Sequence, residues 1–129
     1  MATATYWQRG EAIDYTNSGD SKINAGTILV IGARVGVAGC DIAPGAVGSV
    51  HMEGVFEVPK EYAASDKALT LGQEVQWDNS NSYFKAAVAM VVGTGGDAGK
   101  VTTAPSAVNG YVVKAAASAD QTVLVKINA

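Results

Sequence analysis

The residues of this chain that could carry chemistry are few. His51 is the only histidine and Cys40 the only cysteine. Read along one extended segment, His51, Glu53 and Glu57 share a strand face, an arrangement that could begin a metal site. A bound metal needs three or four ligands, usually with a second histidine or cysteine, and none is at hand. The face therefore reads as a polar outer surface or a subunit contact. Cys40 stands next to Asp41, the opposite of the electropositive setting that activates a thiol. No serine lies in a nucleophile-elbow pattern. The glycine-rich stretch GTGGDAGKVT, residues 93–102, has the look of a phosphate-binding loop. That motif places a glycine five residues before the Gly-Lys pair and a Ser or Thr directly after it. Thr94 and Val101 occupy those two positions, and no helix is predicted to follow, so the match fails twice. These residues give no catalytic constellation, no cofactor and no metal. The chain reads as a structural or binding module and not an enzyme.

The balance of charge excludes further classes. Nine Lys and Arg against twelve Asp and Glu leave a net charge of −3, and the cations are scattered. Phosphate neutralisation needs clustered cations, so a nucleic-acid partner is not expected. Trp77, Tyr83 and Phe84 have only Lys85 beside them, too little for a single-strand stacking groove. No apolar run approaches the ~20 residues that span a bilayer, so no membrane partner is expected. The N-terminus lacks a signal-peptide pattern, and the lone cysteine suits a reducing compartment. The expectation is a soluble protein made in the cytoplasm.

The elements that must position these residues are strands. Of 129 residues, 48% are hydrophobic, 16% are charged and 15 are glycine, which favours an all-β fold with many tight turns. The stretch VGSVHMEGVFEVPK, residues 47–60, predicts one long half-buried strand. Val50, Met52, Phe56 and Val58 point to the core. Ser49, His51, Glu53 and Glu57 point outward, and Pro59 ends the strand. Ile28 to Ile31 is an unbroken apolar run and predicts a strand buried on both sides. Shorter strands are expected at 11–16, 34–38, 73–78, 83–92, 111–117 and 121–128. Asn109-Gly110 reads as a turn pair. Residues 60–72 show no sustained helical period, and 101–106 read as irregular. The sum is roughly eight short strands in a compact barrel or sandwich, jelly-roll or β-tulip-like. Residues 10–129 are expected to form one β domain, preceded by an arm, residues 1–9. On that arm Tyr6 and Trp7 either fold back onto the chain's own core or reach a neighbouring subunit.

Several segments in order carry a family likeness. They are Gly36-Val37-Ala38, Asp41, Pro44-Gly45, then Gly54-Val55-Phe56-Glu57-Val58-Pro59-Lys60, and Gly72 through Val75 to Trp77-Asp78. Gly110-Tyr111-Val112-Val113 and Val123-Leu124-Val125-Lys126-Ile127 close the series. The sequence resembles the phage capsid decoration, or cement, proteins, a family often labelled as RecA-type phage recombinases. The failed phosphate-loop test contradicts that label for this chain. The resemblance implies a structural virion protein on the outer surface of the phage head, cementing major capsid subunits against internal pressure. It implies the major capsid protein as partner and a homo-oligomer, a trimer favoured over a dimer. The capsid or subunit interface is expected at Thr5, Tyr6, Trp7, Gln8 and Arg9 of the arm, and at His51, Glu53 and Glu57. The alternative is a tail or fibre module binding a glycan, with Trp77 and Tyr83 lining a shallow pocket.

Overall fold

The computed structural model describes residues 2–88, 91–97, 99–103 and 107–128. Its regular elements are strands, apart from one turn of 3-10 helix at Gly95–Asp97. The chain divides into two compact units, residues 1–29 with 36–54, and residues 30–35 with 55–129.

The first unit carries most of a four-stranded sheet. Its strands are β1 (Ala12–Thr16), β2 (Ile28–Ile31), β3 (Arg34–Ala38) and β4 (Val47–His51), in the order β1-β4-β3-β2. β1 and β4 run antiparallel with Ile13 opposite Val50 and Tyr15 opposite Gly48. Val37, Ala38, Ile42 and Val50 are buried there. Asn17 is buried with them, and its amide donates to the carbonyls of Ser21 and Ile42 at 2.8 and 3.0 Å. A buried amide satisfied by backbone in this way fixes the turn that the Asn-Ser-Gly sequence announces.

The second unit holds a five-stranded sheet in the order β5-β11-β10-β6-β7. Its strands are β5 (Val55–Pro59), β6 (Glu74–Asp78), β7 (Tyr83–Ala86), β10 (Gly110–Lys114) and β11 (Thr122–Ile127). Val58, Val75, Phe84, Val112, Val125 and Ile127 form its core. The sheet is not closed by a continuous ladder, but it curls until its outer strands meet at a single bridge. There the Glu61 amide donates to the Phe84 carbonyl at 2.9 Å. A separate two-stranded ribbon pairs β8 (Val91–Val92) with β9 (Val101–Thr103).

All-β architecture is as the composition predicts, but several boundaries differ. The long strand over 47–60 is two strands in two different sheets, β4 and β5. Gly54, at a φ of 130°, makes the break in a conformation that side-chain-bearing residues rarely adopt. β2 is the outer strand of its sheet and not doubly buried; Val30 is 49% exposed. The strand expected over 83–92 is split between β7 and β8, with residues 89 and 90 outside the described set. Residues 101–103, expected to be irregular, form β9, while 104–106 lie outside the described residues. Asn109-Gly110 is not a turn. The Asn109 amide donates to the Val75 carbonyl at 2.8 Å, and Gly110 opens β10. A Cβ on Gly110 would collide with the Lys126 carbonyl across the ladder. Close approach explains the glycine there, in place of turn geometry.

Residues 60–73 stay out of a helix because their backbone is engaged elsewhere. Ala63 donates to Ser118, Leu69 exchanges two bonds with Ala116, Gly72 donates to Val112, and Val112 donates to Gln73, all between 2.7 and 3.0 Å. The segment is a strap along the terminal hairpin. Leu69 is its buried anchor.

Candidate functional site

The arm, residues 2–9, has neither helix nor strand, and every residue on it is exposed. Tyr6 is 82% and Trp7 87% exposed. Of the two readings of Trp7, packing onto the chain's own core is not what the structure shows. Small and β-branched residues with no apolar periodicity give the arm no face to bury. It meets the fold at Glu11, whose carbonyl accepts from the Met52 amide at 2.8 Å. Thr5, Gln8 and Arg9 are exposed on either side of the aromatic pair.

His51 ends β4, opposite Ala12 of β1 and Val37 of β3. Glu53 is exposed in the link after it, and Glu57 is exposed on β5, opposite Leu124. The three do not share one strand, because the segment is broken at Gly54 into β4 and β5. Among the described residues no group of three His, Cys, Asp or Glu is placed to hold a metal ion.

The most unusual polar group lies at the end of the same stretch. Lys60 is 1% exposed. Its ammonium donates to three backbone carbonyls, of Glu61 at 2.7 Å, Ser118 at 3.1 Å and Asp120 at 3.2 Å. Burial pushes this ammonium down from its ordinary range, and the Asp120 and Glu61 carboxylates work against that shift. Three charge-assisted bonds satisfy all three protons, which is what makes a buried lysine tolerable. Beside it, Glu61 accepts from Lys67 at 3.0 Å and from the Tyr83 hydroxyl at 2.9 Å. These two bonds, Lys67 first, hold the Glu61 carboxyl low, and Glu61 raises the Tyr83 phenol. Sequence reading found the Pro-Lys pair but no role for it. A lysine after a strand carries no sign of burial.

On the β6–β7 hairpin, Trp77 pairs with Phe84 and Asp78 with Tyr83. The Trp77 and Phe84 rings lie 5.1 Å apart, tilted by 56°. Neighbouring pairs in a ladder face opposite sides, so Trp77 and Tyr83 do not line one pocket. The glycan-binding alternative loses its paired aromatics. Asp78 instead organises the turn, accepting from the Ser80 and Asn81 amides at 3.1 and 3.2 Å and pairing with Lys85 at 3.1 Å. The Asn81 side chain, then Lys85, hold its carboxyl down at about 2. A hollow of about 290 Å³ lies between Glu61–Leu69 and Phe84–Val88, and a smaller one of about 150 Å³ beside Trp77.

The model of a family of structural phage proteins matches most of this all-β chain. More narrowly, the chain belongs to the phage cement proteins: the model of that family matches residues 7–127. That membership makes it a structural, capsid-associated protein of a phage virion. Neither the curated proteins nor the solved structures contain a match.

Proposed function

We propose that this protein binds the outer surface of the phage head, bridges major capsid subunits and holds them against internal pressure, without catalysis. The match to the cement family over residues 7–127 carries this reading. The structure supports it through rigidity and reach. A sheet with a buried lysine clamp resists deformation, while an eight-residue arm stands clear of the fold with two aromatic side chains exposed. Aromatic side chains are frequent anchors at protein interfaces. Thr5, Tyr6, Trp7, Gln8 and Arg9 make the arm the surface through which the chain meets its neighbours on the shell. His51, Glu53 and Glu57 supply polar contacts from the body of the protein. A symmetric oligomer engages several sites at once, so avidity adds to each contact. Synthesis in the host cytoplasm and assembly onto the expanded head complete the picture.

The experiment is deletion of residues 2–9, followed by binding to heads that lack the protein. Occupancy falling at least tenfold supports the arm as a contact surface, and undiminished occupancy removes it from the interface.

A further inference from the structure

The hollow beside Trp77 and the aromatic arm are two exposed features of one chain. The hollow holds about 150 Å³ and is walled by Val30, Val35, Trp77 and Ala107, with Arg34 at its side. Sites for drug-sized ligands run from about 300 Å³ upward, so this one has room for a single large side chain. Its walls are fixed. The Trp77 indole donates to Asn79 at 3.1 Å, and the Trp77 amide donates to the buried Asn109 side chain at 2.8 Å. Asn109 in turn donates to the Ala33 carbonyl at 3.1 Å. Asn128 brackets Val35, accepting from its amide at 3.2 Å and donating to its carbonyl at 2.6 Å. The site is therefore pre-formed. Val30 lies on β2, an outer strand whose far edge pairs with no other strand among the described residues.

That edge is unguarded. Natural sheets protect free edges with charge, proline or bulges. β1 carries Asp14, β5 carries Glu57 and Pro59, and β7 carries Lys85, whereas Ile28–Ile31 has no charge, and none occurs from Ile23 to Ala33. The arm matches it. Ala2 to Gln8 is also uncharged, so pairing the two buries no unpaired charge. Extended at about 3.3 Å per residue, residues 2–9 reach about 26 Å, enough to lie on another molecule.

We propose that the arm of one copy of this protein docks on a second copy, running beside β2 and placing Trp7 in the hollow next to Trp77. The indole ring meets an apolar wall and the guanidinium of Arg34, a cation suited to an aromatic face. Main-chain bonds to β2 supply affinity, and the hollow supplies register. Such a contact is head-to-tail, and where the rotation between copies closes it gives a ring, the arrangement a symmetric cement oligomer needs. This rests on the reading of the arm as a contact surface, and it names that surface's partner as the protein itself.

The test is the solution mass of the full chain in the absence of heads, by sedimentation or light scattering. The wild type is expected as an oligomer. Trp7→Ala removes the plug, and Ala107→Trp fills the hollow from an exposed position; each should return the mass to the 13.1 kDa monomer. Val30→Asp, which charges the rim, should do the same, and an unchanged circular-dichroism spectrum shows that each variant folds. Mixing Trp7→Ala with Ala107→Trp leaves one intact plug facing one intact hollow and should give a 1:1 heterodimer. A monomeric wild type, variants that keep the wild-type mass, or a mixture that stays monomeric would overturn the proposal. Trp7→Ala that keeps its mass but loses head binding would assign the arm to the coat protein, ending this inference while leaving the proposed function standing.

Discussion

The ammonium of Lys60 and the carbonyl of Ser118 are 3.1 Å apart, though the two residues stand 58 positions apart in the chain. Ser118 also accepts from the Ala63 amide at 3.0 Å, and its hydroxyl accepts from the Lys67 amide at 2.9 Å. One residue of the last hairpin loop thus receives the end of β5 and the strap that follows. This is the joint that ties the end of β5 and the strap to the terminal hairpin.

Replacing Lys60 with Met keeps the length of the side chain and removes its three donors. Three carbonyls, of Glu61, Ser118 and Asp120, then lose a charge-assisted bond, while the cost of burying an ammonium is relieved. The loss should dominate, and we expect about 2–4 kcal/mol less stability, read from the urea midpoint at constant slope. A variant as stable as the wild type would show that the clamp is neutral.

Gly110→Ala tests the close crossing of β10 and β11. The added methyl meets the Lys126 carbonyl and the Val125 side chain, at a φ of 155°. Backbone must move, and the expected cost is about 2–3 kcal/mol, seen as a lower thermal midpoint. The ladder, not the arm, would bear the damage.

How much of this was legible in the sequence depends on the kind of interaction. Alternation placed Val50 and Val58 in the core, where they are buried, because side-chain period in a strand is local; Met52 and Phe56, expected beside them, are only half-buried. The break at Gly54 was not legible, since Met52 and Phe56 keep the alternation going across it while the chain changes sheets. Asn109 read as a turn residue, yet its side chain serves Trp77 and Ala33, 32 and 76 residues away. Partners that distant leave no local pattern. The exposure of residues 2–9 follows from their having no apolar face to bury. The burial of Lys60 was not, because it depends on carbonyls contributed by the far hairpin.

Acid should weaken the fold partly through Asp78. Its carboxyl titrates at about 2 in the folded chain against an ordinary value of 3.8. Between those values the unfolded chain binds more protons, so stability is full above 3.8 and is lost as pH falls toward 2. Asp41 and Glu61, both held low, act in the same direction. Asp78→Asn keeps the acceptor for the Ser80 and Asn81 amides but not the charge facing Lys85. Its stability should fall less steeply than that of the wild type from pH 4 to pH 2. Parallel curves would assign the acid sensitivity to other carboxylates.

Removing residues 2–9 should leave the fold intact, because all are exposed and none pairs in a strand. The thermal midpoint of the truncated chain is expected within about 2 °C of the full one, in line with surface changes worth less than ~0.5 kcal/mol. A larger drop under monomeric conditions would mean that the arm supports its own subunit.

The central claim is attachment to the outside of the head. Purified protein added to expanded heads that lack it, followed by cryo-electron microscopy, tests this most directly. Density is expected at regular lattice positions on the outer surface, spanning adjacent capsid subunits, together with heads that withstand more heat before releasing DNA. Bare heads at saturating protein, or density confined to the tail, would contradict it.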